Sequence, residues 1–197
     1  MSGEAVKKEK VQMDPKYILK LSITLLVICL VVALALGFVN GITADKIAAL
    51  QEQAKQDSLQ AVFPDATFNE VETGDEQLAV ATEYGVELMY IYEVADGSGY
   101  AIEVGPSGFS GTIDMIVGIN ADGSVAGISV ISNTETAGIG TNVSSDKPNR
   151  NGVGVLSQFI GLTATADNPF TVNSGSNQVD AISGATVTTR AIATGDN

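Results

Sequence analysis

The chain has 197 residues, 23 of them acidic and 10 basic, for a net charge of −13, with no histidine and a single cysteine, Cys29. Such a balance repels nucleic acid, and the lack of histidine removes the commonest general base and transition-metal ligand. One thiol excludes thiolate zinc sites, iron–sulfur clusters and internal disulfides, so any redox chemistry must come from a cofactor held in another way; no catalytic residue and no metal ligand is assigned.

Charge is divided along the chain. Lys7, Lys8, Lys10, Lys16 and Lys20 face three acids in residues 1–20, whereas residues 21–197 carry five basic and twenty acidic residues, a net of −15, as on a solvated surface. Between them, Leu21 to Val39 (LSITLLVICLVVALALGFV) is almost continuously apolar, and no charge stands between Lys20 and Asp45. At about 1.5 Å per residue this reaches roughly 30 Å, the thickness of a hydrocarbon core, so a transmembrane helix is expected over residues 21–43. Ser22 and Thr24 fit it by bonding back to the preceding turn. A cleavable signal peptide would have a shorter apolar region followed by small residues, which Gly37 to Lys46 does not offer, and Cys29 lies too deep in the run for a lipid-modified cysteine. The expected product is an uncleaved single-pass anchor in the cell membrane. The lysine excess places residues 1–20 as a cytoplasmic tail and the acidic body outside the cytoplasm.

Beyond the span, Thr43 is expected to cap a connecting helix over residues 44–64, with Ile47, Leu50, Ala54, Leu59 and Val62 at roughly helical spacing and Pro64 ending it. Residues 65–197 have room for one domain with an apolar core, and their Gly, Ser, Thr, Val and Ile content suits strands and turns. Two hairpins are predicted: Glu87–Val94 with Tyr100–Val104 around Asp96-Gly97, and Thr112–Asn120 with Val125–Ser132 around Asp122-Gly123. Ile113, Met115, Val117 and Ile119 alternate with polar positions, the pattern of a half-buried strand. The class is α+β, an antiparallel sheet with flanking helices. From Asn133 to Gly154 the chain reads as a long surface loop, of the kind that is often functional. Asn142-Val143-Ser144 matches a glycosylation acceptor, and no role is assigned to it.

The segment DAISGATVTT, Asp180 to Thr189, is small and hydroxylic. Ser183 can cap a helix or form a turn, Gly184 permits unusual backbone angles and Ala185 clears space beside Thr186. Alone it reads as an ordinary capped turn. A helix beginning there would favour an anion at its N-terminus, so a phosphate on Thr186 would sit where negative charge is stabilised.

Asp180 to Thr186 resembles the flavinylation motif of FMN-binding domains. AVFPDA (61–66), GFSGTIDMIVGINADGSVAGISVI (108–131), ETAGIG (135–140) and QFIG (158–161), together with the anchor, extend the likeness over nearly the whole chain. The chain is similar to the G subunit of the Rnf complex and to its relative, the C subunit of the sodium-translocating NADH:quinone reductase. Asn133 and Ala137 stand where members often have a histidine and a proline.

The resemblance implies FMN joined by a dedicated flavin transferase through a phosphoester to Thr186, with Ser183, Gly184 and Ala185 shaping the turn and phosphate contacts and Thr188 as the rival hydroxyl. It implies that Glu135, Thr136, Gly138 and Gly140 border the isoalloxazine. The implied function is electron relay within an ion-translocating ferredoxin:NAD oxidoreductase, a translocase in which this chain is a membrane component without catalysis of its own. Its partners would be the other membrane subunits and, indirectly, ferredoxin and NAD. The quinone-reductase counterpart, a stand-alone anchored flavin domain and a cofactor-free interaction module remain as other readings.

Overall fold

The computed structural model describes residues 15–197, so most of the expected cytoplasmic tail lies outside the described residues. The chain divides into a unit ending at Leu50 and a second, Gln51–Asn197. A single helix, α1 (Pro15–Val62), carries the apolar run and is long and apolar enough to cross a membrane. Over that run its side chains are exposed, Leu25 and Leu34 among them, as in a helix whose solvent is lipid. Thr24 Oγ1 donates to the Lys20 carbonyl at 2.8 Å, the expected back-bond. Thr43 is not a cap: it lies inside α1 and donates to the Val39 carbonyl at 2.9 Å, because no residue near it breaks the helix.

In the second unit, α1 stops at Val62, two residues before Pro64. The Gln60 amide donates to the Ala66 carbonyl at 2.9 Å and accepts from the Asp65 N–H at 3.0 Å, closing the turn into β1 (Phe68–Val71). There follow α2 (Asp75–Glu83), β2 (Val86–Val94), β3 (Gly99–Pro106), β4 (Ile113–Asn120) and β5 (Val125–Asn133). The five strands form one antiparallel sheet in sequence order, so both expected hairpins are present and β3 pairs with β4 to join them. In the turns Gly97 and Gly123 take positive φ (76° and 83°), while Asp96 and Asp122 do not. Each aspartate instead accepts a hydrogen bond from the amide two residues on, Ser98 or Ser124.

The expectation of a half-buried β4 is corrected. Ile113, Met115 and Val117 face the main core, but Ile116 on the opposite face is equally buried, under Leu59 and Val62 of α1. Gly118 makes this possible, since a Cβ there would overlap Val62. Lys55 completes the seam: its Nζ lies 2.8 Å from Glu103 Oε2 on β3 and 3.7 Å from the Tyr90 ring centroid.

The other face of the sheet is covered by the rest of the chain. α3 (Thr141–Ser144), a 3-10 turn at Leu156–Gln158, a two-residue parallel pair, β6 (Thr171–Val172) and β7 (Gln178–Val179), and α4 (Thr186–Asp196) all lie beyond β5. Ile192, Val143, Val155 and Phe159 of this region are fully buried against the sheet residues.

Candidate functional site

The stretch expected to be a long surface loop is tied down. Val143 of α3 anchors it in the core. Asp146, at positive φ (49°), accepts from the Leu156 N–H at 2.7 Å and from the Ser157 amide and hydroxyl. Gly138, at φ 74°, turns the chain so that its N–H donates to Thr141 Oγ1 at 2.9 Å. Val143, Asp146 and Glu135 of this run are used as fasteners, which composition alone did not reveal.

Fastening brings residues 135–140 against the start of α4. Glu135, 7% exposed, is the clasp. Its Oε1 accepts from the Phe109 and Ser110 N–H groups at 2.8 and 2.9 Å, and its Oε2 accepts from the Thr188 hydroxyl at 2.5 Å. Around this clasp lies a cleft of about 310 Å³, walled by Phe109, Ile139 and Val187 and floored by Thr136, Gly140 and Ala185. Gly140 must be glycine, because a Cβ there would stand 2.6 Å from Glu135 Oε2.

Thr186, half-buried, is the first residue of α4 and lines this cleft and also a larger polar one of about 670 Å³. The second cleft is bordered by Asn149, Arg150, Asn151, Asp180 and Ser183. Asp180 braces its wall, accepting from the amides of Asn151 at 2.9 Å and Gln178 at 2.8 Å.

The local conformation follows from three small residues. Gly184 takes φ 86° and Ala185, 2% exposed, packs inward as the N-cap residue of α4. Ser183 does not cap: it is exposed two residues before the N-cap, and α4 has no side-chain cap. The first amide of α4 to find an acceptor is that of Thr189, which bonds the Ala185 carbonyl at 2.9 Å. The N–H groups of Thr186, Val187 and Thr188 are thus left pointing out of an eleven-residue helix, beside a hydroxyl and within reach of a cleft holding Arg150.

This arrangement fits a phosphate-bearing planar cofactor. Orphan amides and one guanidinium suit the phosphate, and an apolar slot with a glycine floor suits a flat ring. Of the residues expected around the ring, Glu135, Thr136 and Gly140 line the slot, whereas Gly138 shapes the turn behind it. Phe109, Ile139 and Val187, large and exposed, were missed; an apolar side chain at 71, 46 and 46% exposure is a signal only a structure gives. Thr188 is 2% exposed with its hydroxyl engaged by Glu135, in contrast to the accessible Thr186.

Comparison with known proteins agrees with this geometry. Residues 108–195 match the FMN-binding domain family and residues 13–62 the RnfG N-terminal region. The chain is 35% identical to the G subunit of the sodium-translocating ferredoxin:NAD(+) oxidoreductase complex of Acetobacterium woodii, over 96% of this chain and 93% of that protein. It is 32% identical to the G subunit of the ion-translocating oxidoreductase complex of Methanosarcina acetivorans, over 91% and 90% of the two chains. To the G subunit of the proton-translocating ferredoxin:NAD(+) oxidoreductase complex of Clostridium ljungdahlii it is 26% identical, over 92% and 89%.

Proposed function

The chain belongs to the family of G subunits of ion-translocating (Rnf) oxidoreductase complexes, and from that premise we propose that it is a membrane-anchored flavoprotein whose FMN is esterified to Thr186. Within such a complex it relays electrons between ferredoxin and NAD chemistry carried out by partner subunits. FMN supplies passage of electrons one or two at a time, which links two-electron and single-electron carriers.

The observation that supports this reading is the position of Thr186: an accessible hydroxyl at an uncapped helix N-terminus, where a polar cleft meets an apolar slot. In the proposed maturation, a transferase would present a flavin nucleotide activated as a phosphoanhydride, and Thr186 Oγ1 would attack its phosphorus, its proton passing to solvent. The anhydride P–O bond breaks as the phosphoester bond forms, and the displaced nucleotide leaves with the negative charge. The orphan amides of Thr186, Val187 and Thr188 and the Arg150 guanidinium would hold the resulting phosphate, and Phe109, Ile139 and Val187 would shield the ring from water. A covalent tether frees the site from dependence on dissolved flavin.

The proposed topology has residues 1–20 in the cytoplasm, 21–43 across the membrane, 44–64 as a helical connector, and the flavin domain, 65–197, outside. The experiment is to make the full chain with its transferase, denature it, and look for flavin fluorescence on a gel and for the added flavin phosphate by intact mass. The modified species should be present in the wild type and absent in Thr186→Val. An unmodified wild-type chain, or a Thr186→Val chain that still carries flavin, overturns the assignment.

A further inference from the structure

Residues 65–197 carry seventeen acidic residues and three basic ones, Lys147, Arg150 and Arg190. In so acidic a domain each cation has many carboxylates to pair with, yet none does. Among the described residues the one ion pair joins Lys55 to Glu103, which leaves Lys147, Arg150 and Arg190 exposed and unpaired.

All three stand around Thr186. Arg150 borders the polar cleft that Thr186 lines, and Lys147 precedes Pro148 on the same wall. Arg190 follows Thr186 by four residues on α4, one turn along the same face and about 6 Å further on. The acids of this region are already engaged: Glu135 by Phe109, Ser110 and Thr188, Asp146 by Leu156 and Ser157, and Asp180 by Asn151 and Gln178. The other half of the rim is apolar, with Phe109 71% exposed beside Ile139 and Val187. It meets the cationic half at Gly184 and Thr186, which line both clefts.

A flavin phosphate tethered to Thr186 is a diester with a single negative charge, and Arg150 in its cleft answers it. Lys147 and Arg190 are then surplus to cofactor binding. Exposed aromatic and arginine side chains beside one another are the composition of a protein-binding surface. We propose that this rim is the docking surface for an electron-carrying partner protein that presents carboxylates around an apolar centre. The inference rests on the flavin reading, which puts the cofactor ring in the adjoining slot. An acidic partner is repelled by the remainder of the domain and drawn only to this face, so the charge distribution turns it towards the flavin. A second copy of this chain is the disfavoured alternative, because a basic rim set on an acidic face joins unlike surfaces and cannot close as a twofold pair.

Lys147 is the one lysine of residues 65–197, which makes the surface testable by zero-length coupling. The intact, flavin-loaded membrane complex is treated with a water-soluble carbodiimide. This reagent activates a carboxylate; a touching amine then displaces the urea and forms an amide. Mass spectrometry should find Lys147 joined to an Asp or Glu of a different subunit, and about 1 M salt should lower the product three- to tenfold. Arg190→Glu, which leaves the amine in place, should lower the coupling about three- to tenfold. Asn69→Glu, which adds negative charge on the exposed edge strand β1, should leave it unchanged. Both variants should keep the flavin band on a denaturing gel. Absence of that band from the wild type sinks the flavin reading and this inference with it. In a flavin-loaded chain the docking surface alone is overturned by Lys147 coupling to no other subunit, only within this chain or only to a second copy. Equal coupling in Arg190→Glu, or an equal loss in Asn69→Glu, overturns it too.

Discussion

The Thr188 hydroxyl donates to Glu135 Oε2 at 2.5 Å, joining segments 53 residues apart at the floor of the candidate cleft. Because Glu135 also takes two backbone amides of the 108–111 turn, it is the point where three segments meet. Glu135→Ala leaves the buried Thr188 hydroxyl without its acceptor and releases two part-exposed amides, and a cost of about 1–3 kcal/mol is expected. Thermal denaturation of the full chain, with the flavin fluorescence of the surviving fold, would measure it. Gly140→Ala should act at the same place by steric means, costing about 1–3 kcal/mol through crowding of the carboxylate.

Thr188→Val separates structure from attachment. It should lower stability by about 1–2 kcal/mol, since one hydrogen bond to a buried carboxylate is lost, yet retain full flavin incorporation. Thr186→Val should do the reverse, melting close to the unmodified wild type with no flavin band on a denaturing gel. If the two variants exchanged phenotypes, Thr188 would be the attachment residue.

Asp196 makes stability depend on pH. Neither oxygen of its buried carboxyl has a hydrogen-bond partner. Burial raises its folded pKa to about 8, above its ordinary value of 3.8, so its contribution is fully present below about pH 4 and is lost as pH rises towards 8. Within that window each unit costs about 1.4 kcal/mol, because only the folded state retains the proton. Among the described residues, the other titratable residue lining the gap between α2 and the sheet at the end of α4 is Tyr84, on α2. Arg190 of α4 is exposed. Asp196→Asn should flatten the slope and be more stable than wild type at pH 8, as measured by denaturant titration at several pH values. An unchanged slope would show that Asp196 ionises in the fold.

Lys55 fastens the end of α1 to the sheet through Glu103, Tyr90 and Tyr92. Burial works against its ammonium, but hydrogen bonds to Glu103 and Tyr92 outweigh it and hold its pKa above the ordinary lysine value. The sign places any loss of this contact above pH 10, so it is constant through the physiological range. Lys55→Met strands Glu103, 7% exposed, at an expected cost of about 2 kcal/mol, less than for a fully buried pair because Lys55 is only partly buried. Adding Glu103→Gln should recover most of the loss in a double-mutant cycle.

Local chemistry along the chain determined a good deal by itself. The apolar run of α1 needs only its length and lack of charge to be recognised, and the Asp-Gly turns place both hairpins because their backbone angles are a short-range property. The glycine and small residues before Thr186 likewise announce an exposed turn. Tertiary structure alone decided how many faces of β4 are covered, since period-two alternation describes one face and Ile116 meets α1 from more than fifty residues away. It also decided that Asp146 and Glu135 are fasteners, that Thr188 is engaged while Thr186 is open, and that Asp196 has no partner. Each of these depends on which distant atoms arrive within hydrogen-bond distance, and neither composition nor spacing encodes that.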